Sequence, residues 1–409
     1  MAARRVAVTG TGVISPIGNG FSEFARALGE ARPGIRRLPP EVAGGSGVQV
    51  GALIDWRAVP IFKEAEAANL DRVAQFALAA SAEALAASGL DLAAADRSRI
   101  GVYWGTGMGG AHSLEGAYRQ VYGAEQWRLR PLTVVMAMNN AAGSNVAVRH
   151  GLGGPFANFS TACSSSAMAL GEAMRTIAAG RADAIVAGGA EALLTPGTLA
   201  AWQALRTLAP ADPGDPAASC KPFDRRRAGL VLGEGAAAFV LEDEAHARSR
   251  GAKIHGFLTG YGNSCDAVHM SRPDGAGQAR AMREALQESR LSPGDIGYIN
   301  AHGTATAVGD VVEAEAINAV FAGSAPLVTS TKSMHGHLLG GAGALEFAVA
   351  MLALEEGLVA PTAFLEQPDP AVKLRHVPLK AERIAPPRAV MSNSFAFGGS
   401  NVVLVAEHA

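Results

Sequence analysis

Short runs of β-branched and apolar residues, each ending in glycine or another small residue, alternate along the chain with alanine-rich stretches compatible with helix. That alternation marks strand–helix–strand units and an α/β fold. It predicts strands over Val6–Thr9, Ile100–Trp104, Ala184–Ala187, Ala237–Leu241, Gly297–Asn300, Leu327–Thr329 and Val402–Val405. It predicts helices over Leu70–Ser88, Ser165–Ala179, Gly277–Ser289, Val311–Phe321 and Ala344–Glu356. Segments rich in Gly, Pro and Asp near Arg32–Gly47 and Pro210–Ala217 read as loops.

The pattern also echoes itself. PFANFSTACSSSAMALGEAM runs strand, small-residue turn, helix, and PLVTSTKSMHGHLLGGAGALEFAVAM repeats that plan in the second half. The openings RRVAVTGTGVISPIG and AKIHGFLTGYGNSCDA match in the same way. Two copies of one unit joined near residue 250 would set the two turns symmetrically about a shared centre, so that residues from both could meet in one site.

Composition narrows the function classes. A chain of 409 residues exceeds one ordinary core, and 49% apolar content with 6% aromatics suits close helix–sheet packing rather than disorder. The formal charge of −2 leaves no global basic field, which argues against nucleic acid as a partner. Three distant cysteines, Cys163, Cys220 and Cys265, argue against a disulfide scaffold or a CxxC metal site. MAARR is followed by VAVTG, and no run of about 18 apolar residues occurs, so the expectation is a cytoplasmic protein without membrane insertion.

Cys163, in STACSSS, lies where a strand turns into a helix. Unpaired N–H groups and the helix dipole favour thiolate there, which is the state a nucleophile needs. His302, in NAHGTAT, follows a strand and precedes small residues that let a substrate approach. His335 and His337, in KSMHGHLLG, stand with Lys332 in the turn that echoes the cysteine turn, and His337 leads directly into the helix. His335 and His337 could bind a metal as alternate residues of an extended stretch, but no third ligand has suitable spacing. Gly105-Thr106-Gly107-Met108-Gly109-Gly110 fits G-x-G-x-x-G, yet the only acid about twenty residues on is Glu125, in a polar segment, which weakens a dinucleotide reading.

Taken together, VAVTGTGVISPIG, TACSSSAMALGEA, AIVAGGAEA, KPFDRRRAGLVLGEGAA, DAVHM, NAHGTAT, TKSMHGHLLGGAGALE and MSNSFAFGGSN resemble, in order and over nearly the whole chain, the elongating β-ketoacyl-(acyl carrier protein) synthases. The resemblance implies the thiolase fold, a five-layered α/β/α/β/α arrangement of two similar halves, here 1–250 and 251–409. It implies a decarboxylative condensation of malonyl carrier with an acyl group on Cys163, extending a fatty acid or polyketide-type chain by two carbons. In that reading His302 and His337 act on the malonyl thioester, Lys332 supports the second histidine, and Phe397 gates the pocket and shares the oxyanion site with Cys163. Met108 would line the acyl tunnel, Ser271, Thr304 and Thr306 would meet the phosphopantetheine arm, and Phe395 would contact substrate.

No cofactor is required on this reading, though Asn300, Glu346, Ser392 and Asn393 match a structural Na+ or K+ site. The partners implied are acyl carrier protein and a second subunit, either identical or related to a chain-length factor. Two features depart from the family. KEAEAANLDR, with only Lys63 and Arg72 basic, weakens the usual carrier-docking patch, so docking would fall to Arg206, Arg225, Arg226 and Arg227. His335 stands where Thr is common. A catalytic subunit of a specialised polyketide or aryl polyene pathway is the alternative, and a non-catalytic partner with the same fold is the remote one.

Overall fold

The computed structural model describes residues 4–55 and 62–409. The first half contains strands β1 (Val6–Ser15), β2 (Ile100–Gly105), β3 (Phe156–Phe159), β4 (Ala184–Glu191) and β5 (Gly235–Asp243), with helices α1 (Arg72–Ser88) and α2 (Ser165–Ala178). The second half contains β6 (Gly256–Cys265), β7 (Ile296–Asn300), β8 (Leu327–Thr329), β9 (Ala389–Phe395) and β10 (Ser400–Glu407), with α3 (Gly275–Ser289), α4 (Gly309–Val320) and α5 (Ala342–Glu356).

The strands run in the order β3-β2-β4-β5-β1 on one side and β8-β7-β9-β10-β6 on the other. In each group the first three are parallel and the last two antiparallel. The groups meet through β1 and β6, paired only over Val6–Val8 and Gly256–Leu258. The echo seen in the sequence is therefore an echo of topology, with β1 matching β6 and the turn after β3 matching the turn after β8.

Helices α2 and α5 pack on each other between the two groups, while α1 covers the outer side of one and α3 the outer side of the other. This middle layer explains α5, which is apolar on every side and buried from Ala342 to Leu354. The repeated TGxG also has a packing cause. A Cβ on Gly12 would come within 2.1 Å of the Ala80 carbonyl of α1, and one on Gly262 within 1.8 Å of the Ala281 carbonyl of α3. In both halves the outer helix rests directly on glycine backbone.

The expected elements form, with ends moved by their caps. Asp71 accepts from Val73 N–H at 3.0 Å, so α1 starts at Arg72 rather than Leu70. The expected loop at Arg32–Gly47 instead contains a strand, Ile35–Arg37, paired with Val50–Ala52, and a short helix, Pro40–Ala43. Proline at that helix's first position was its start signal. Among the described residues no helix is long and apolar enough to cross a membrane.

Candidate active site

The two symmetric turns meet. β3 ends at Phe159, Ala162 adopts φ 50°, and the next residue, Cys163, is presented at the head of α2. An alanine in the left-handed region costs on the order of 1–3 kcal/mol, and such strain persists where surrounding contacts impose it. The matching turn after β8 carries His337. Its N–H donates to the Val231 carbonyl at 2.7 Å and its own carbonyl accepts from Gly233 N–H at 2.9 Å, so it is pinned by an isolated bridge to the 231–233 segment. Its Nε2 lies 3.0 Å from Cys163 Sγ.

His302 follows β7 and completes the group. Its ring lies 5.3 Å from that of His337, at 82°, and the ligand atoms of Cys163, His302 and His337 all fall within 4.8 Å of one another. Burial, then the Lys332 charge, holds both imidazoles well below the usual 6.5, so both are neutral at pH 7. Each keeps Nδ1 without a protein partner.

Two expectations are corrected. The helix end was expected to favour the Cys163 thiolate, but burial outweighs it and pushes the thiol up to about 12, while Lys332 and the Phe397 N–H pull the other way. The resting group is a thiol, and ionising it requires an acceptor such as His337. Lys332 was assigned to the second histidine, yet its Nζ donates to the His302 carbonyl at 2.7 Å and pairs with Glu346. His335 is no metal partner for His337, because Nδ1 meets the Gly336 carbonyl at 2.8 Å and Nε2 meets the Thr331 hydroxyl at 2.9 Å. Among the described residues the one grouping able to hold a metal is Cys163, His302 and His337 itself.

Met108 does not line the cavity above Cys163; it is 41% exposed, as Val134, Val135 and Met138 are also exposed.

Above Cys163 opens a cavity of about 400 Å³ whose walls include His302, His337, Thr304, Thr306, Ser271, Phe395 and Phe397. Phe395 sits 6.1 Å from the His302 ring. Trp202, which sequence reasoning passed over, stacks on Phe397 at 6.1 Å and 28°. Arg206 and Arg272 stand exposed at the mouth. Three other arginines considered for docking are occupied or partly so. Arg227 is nearly buried and bonded to Asp369 at 2.6 Å, Arg226 is held by Asp224 and Glu366, and Arg72 pairs with buried Glu234.

The sequence also missed Glu313. On α4, its buried carboxylate accepts the N–H groups of His302 at 2.8 Å and Gly303 at 2.7 Å, and so fixes the histidine turn. Its signal was an acid on the same buried stripe as Ile317 and Val320.

Because Lys332 and Glu346 are both fully buried, Lys332→Met leaves an unpaired carboxylate and is expected to cost about 3–5 kcal/mol in urea unfolding. Burial raises Glu346 from 4.5 to about 7, so the folded state holds a proton that the unfolded state has released between those values. The loss in the variant is therefore expected to grow as pH rises through 7. A variant as stable as the parent at pH 8 would contradict the pairing.

Comparison with known proteins agrees with this arrangement. Residues 3–247 match the family model described as β-ketoacyl synthase, N-terminal domain, and residues 255–366 match β-ketoacyl synthase, C-terminal domain. A 3-oxoacyl-[acyl-carrier-protein] synthase 2 of Vibrio harveyi is 38% identical over 99% of both chains, and one of Synechocystis is 39% identical over 98% of this chain and 97% of that one. A solved β-ketoacyl synthase of Burkholderia phymatum superposes with TM-score 0.92 at 33% identity, over 99% of this chain and all of that one. The ishigamide ketosynthase/chain length factor does so at 0.92 and 32%, over the whole of both chains.

Proposed function

We propose, for a chain that belongs to the β-ketoacyl synthase family, the decarboxylative condensation of malonyl carrier protein with an acyl group held on Cys163. The carrying observation is the Cys163 Sγ to His337 Nε2 contact of 3.0 Å, with His302 beside it, at the floor of a cavity wide enough for a thioester arm.

In the first half-reaction Cys163 sulfur attacks the acyl thioester carbonyl. The thiol proton passes through His337 to the departing carrier thiolate. The oxyanion forms beside the N–H groups of Cys163 and Phe397, the latter already directed at Sγ. In the second half-reaction malonyl carrier occupies the cavity and its C–C bond to carboxylate breaks, releasing carbon dioxide. The electron pair moves onto the thioester as an enolate, whose oxygen takes hydrogen bonds from His302 and His337. The enolate carbon attacks the Cys163 thioester and the sulfur leaves as thiolate, which takes up a proton from solvent to restore the thiol, giving a β-ketoacyl carrier two carbons longer. Thr304, Thr306 and Ser271 supply hydroxyls along the arm's route. Glu313 and Lys332 hold the His302 turn.

Neutral histidines suit this role, since an imidazole N–H can donate without a charge that would have to be desolvated. Incubating the protein with acyl and malonyl carrier is expected to release carbon dioxide in equal amount to β-ketoacyl carrier. Carbon dioxide without product would overturn the condensing role.

Carrier protein would dock at the mouth, where Arg206 and Arg272, with exposed Arg225 near by, offer charge to an acidic partner. A second subunit would cover the face of Met108, Leu132, Val134, Val135, Met138 and Phe156, beside edge strand β3. Met108 would then line the acyl tunnel at that junction. An identical copy serves this, and so does a chain-length-factor relative. The second pairing is favoured by the likeness to a ketosynthase/chain length factor structure and leaves the chemistry unchanged. The fold divides near residue 250 into its two halves, and a cytoplasmic setting accords with two buried cysteines kept as thiols.

A structural Na+ or K+ fits part of the expected ligand set. Asn300 Oδ1, Ser392 Oγ and Glu346 Oε2 are buried without hydrogen-bond partners, and Asn300 and Ser392 are neighbours across β7 and β9. Hard oxygens of this kind suit such an ion. The Asn393 amide N–H donates to Glu313, and its Oδ1 is likewise buried without a partner. The ion would balance Glu346, which itself holds Lys332.

A further inference from the structure

Glu191 ends β4, has no part in the reaction above, and is fully buried behind the nucleophile. Its carboxylate accepts the N–H groups of Gly107 at 2.7 Å, Met108 at 3.1 Å and Gly340 at 3.0 Å, and the Thr106 hydroxyl at 3.3 Å. A buried carboxylate is tolerated only with such donors, and here they come from two separate turns. One is the turn after β2, which lies against the nucleophile's own segment. Thr106 N–H donates to the Phe159 carbonyl at 3.0 Å, and a Cβ on Gly105 would come within 2.3 Å of the Ser166 nitrogen. The other is the turn that follows His337. The two turns touch because neither carries a side chain there: a Cβ on Gly340 would come within 2.1 Å of the Gly107 nitrogen.

Glu191 thus grips both the backbone of Met108, on the outer apolar face, and the turn of Leu339, in the apolar cluster that contains Cys163. Leu339, directly before Gly340, has φ 39° and packs with Leu193, Leu194, Leu199 and Leu230 in the apolar cluster around Cys163. A leucine keeps that conformation only where its neighbours impose it, and the Gly340 bond to Glu191 is one such constraint. Met108 is gripped through its own N–H. His337 needs none of this, being pinned separately to Val231 and Gly233.

We propose that Glu191 is a positioning residue for the acyl half-reaction: by clamping the Gly107–Met108 turn to the Gly340 turn, it fixes the apolar wall along which the acyl chain lies and so sets which chain lengths are accepted. The inference rests on the condensing reading. Wild-type protein that never acquires an acyl group on Cys163 would sink that reading, whereas the outcomes below judge Glu191 alone.

Glu191→Gln keeps the size but turns an N–H donor towards N–H donors. The measurement is kcat/KM for acyl transfer over straight-chain acyl carriers of increasing length, set beside carbon dioxide release from malonyl carrier in Cys163→Gln with and without Glu191→Gln. The preferred length is expected to lose on the order of tenfold, with shorter or longer chains losing less, so that the profile changes shape. Carbon dioxide release is expected to stay within about twofold, because His337 is anchored elsewhere. Thr106→Val removes one donor at nearly constant shape. It is expected to shift the profile the same way by less, and it decides the matter if the glutamine variant fails to fold. A profile lowered equally at every length, or carbon dioxide release falling in parallel, would overturn the inference.

Discussion

Replacing Cys163 with glutamine is expected to abolish condensation while leaving carbon dioxide release from malonyl carrier intact. Cys163 carries the one thiol among the described residues that line the cavity, so product formation should fall by on the order of 10⁴-fold or more, as when a catalytic nucleophile is removed. On the proposed mechanism decarboxylation needs only His302 and His337, whose positions are set by Glu313, Lys332 and the Val231–Gly233 segment rather than by the thiol. The check is labelled carbon dioxide and β-ketoacyl carrier measured in one reaction. Loss of both would place Cys163 in the decarboxylation step itself.

His337→Ala has the second large effect. It removes the atom 3.0 Å from the thiol and one of the two enolate donors together. Loss of a donor aimed at developing negative charge costs about 10²–10³-fold, so carbon dioxide release should drop by at least that factor. Acyl transfer should drop as well, since a thiol pushed up to about 12 by burial would lose its nearest acceptor. The pH dependence follows from the neutral rings. With both histidines held well below 6.5, carbon dioxide release by the Cys163→Gln variant should be flat across pH 6.5. An acid limb there, or decarboxylation at the parent rate in His337→Ala, would contradict the assignment.

That Cys163, His302 and His337 meet at one cavity could be read from the chain because each lies in a short turn of small residues that ends a strand. The echo between the segments around Cys163 and His337 became two turns facing one cavity. The supporting carboxylates were not legible. Glu191 and Glu313 lie in otherwise apolar or alanine-rich strings, and what they do depends on backbone N–H groups far away in sequence. The Cys163 thiol illustrates the same limit: the helix end is a local feature visible in the sequence, while the burial that outweighs it is assembled from Leu193, Leu230, Leu339 and others.

Surface charge misled for a related reason. Arg226 and Arg227 look available in the string KPFDRRRAG, but Asp224 of the same string turns back onto Arg226, and the fold brings Glu366 and Asp369 to occupy the pair. Met108 likewise stands on an outer apolar face, away from the cavity above Cys163.

The most direct test of the account is peptide mass spectrometry of the protein after brief exposure to acyl carrier without malonyl carrier. The account predicts one acyl group, on the peptide containing Cys163, discharged when malonyl carrier is added and absent from Cys163→Ala. An acyl group on Cys220 or Cys265, or equal labelling of Cys163→Ala, would contradict it.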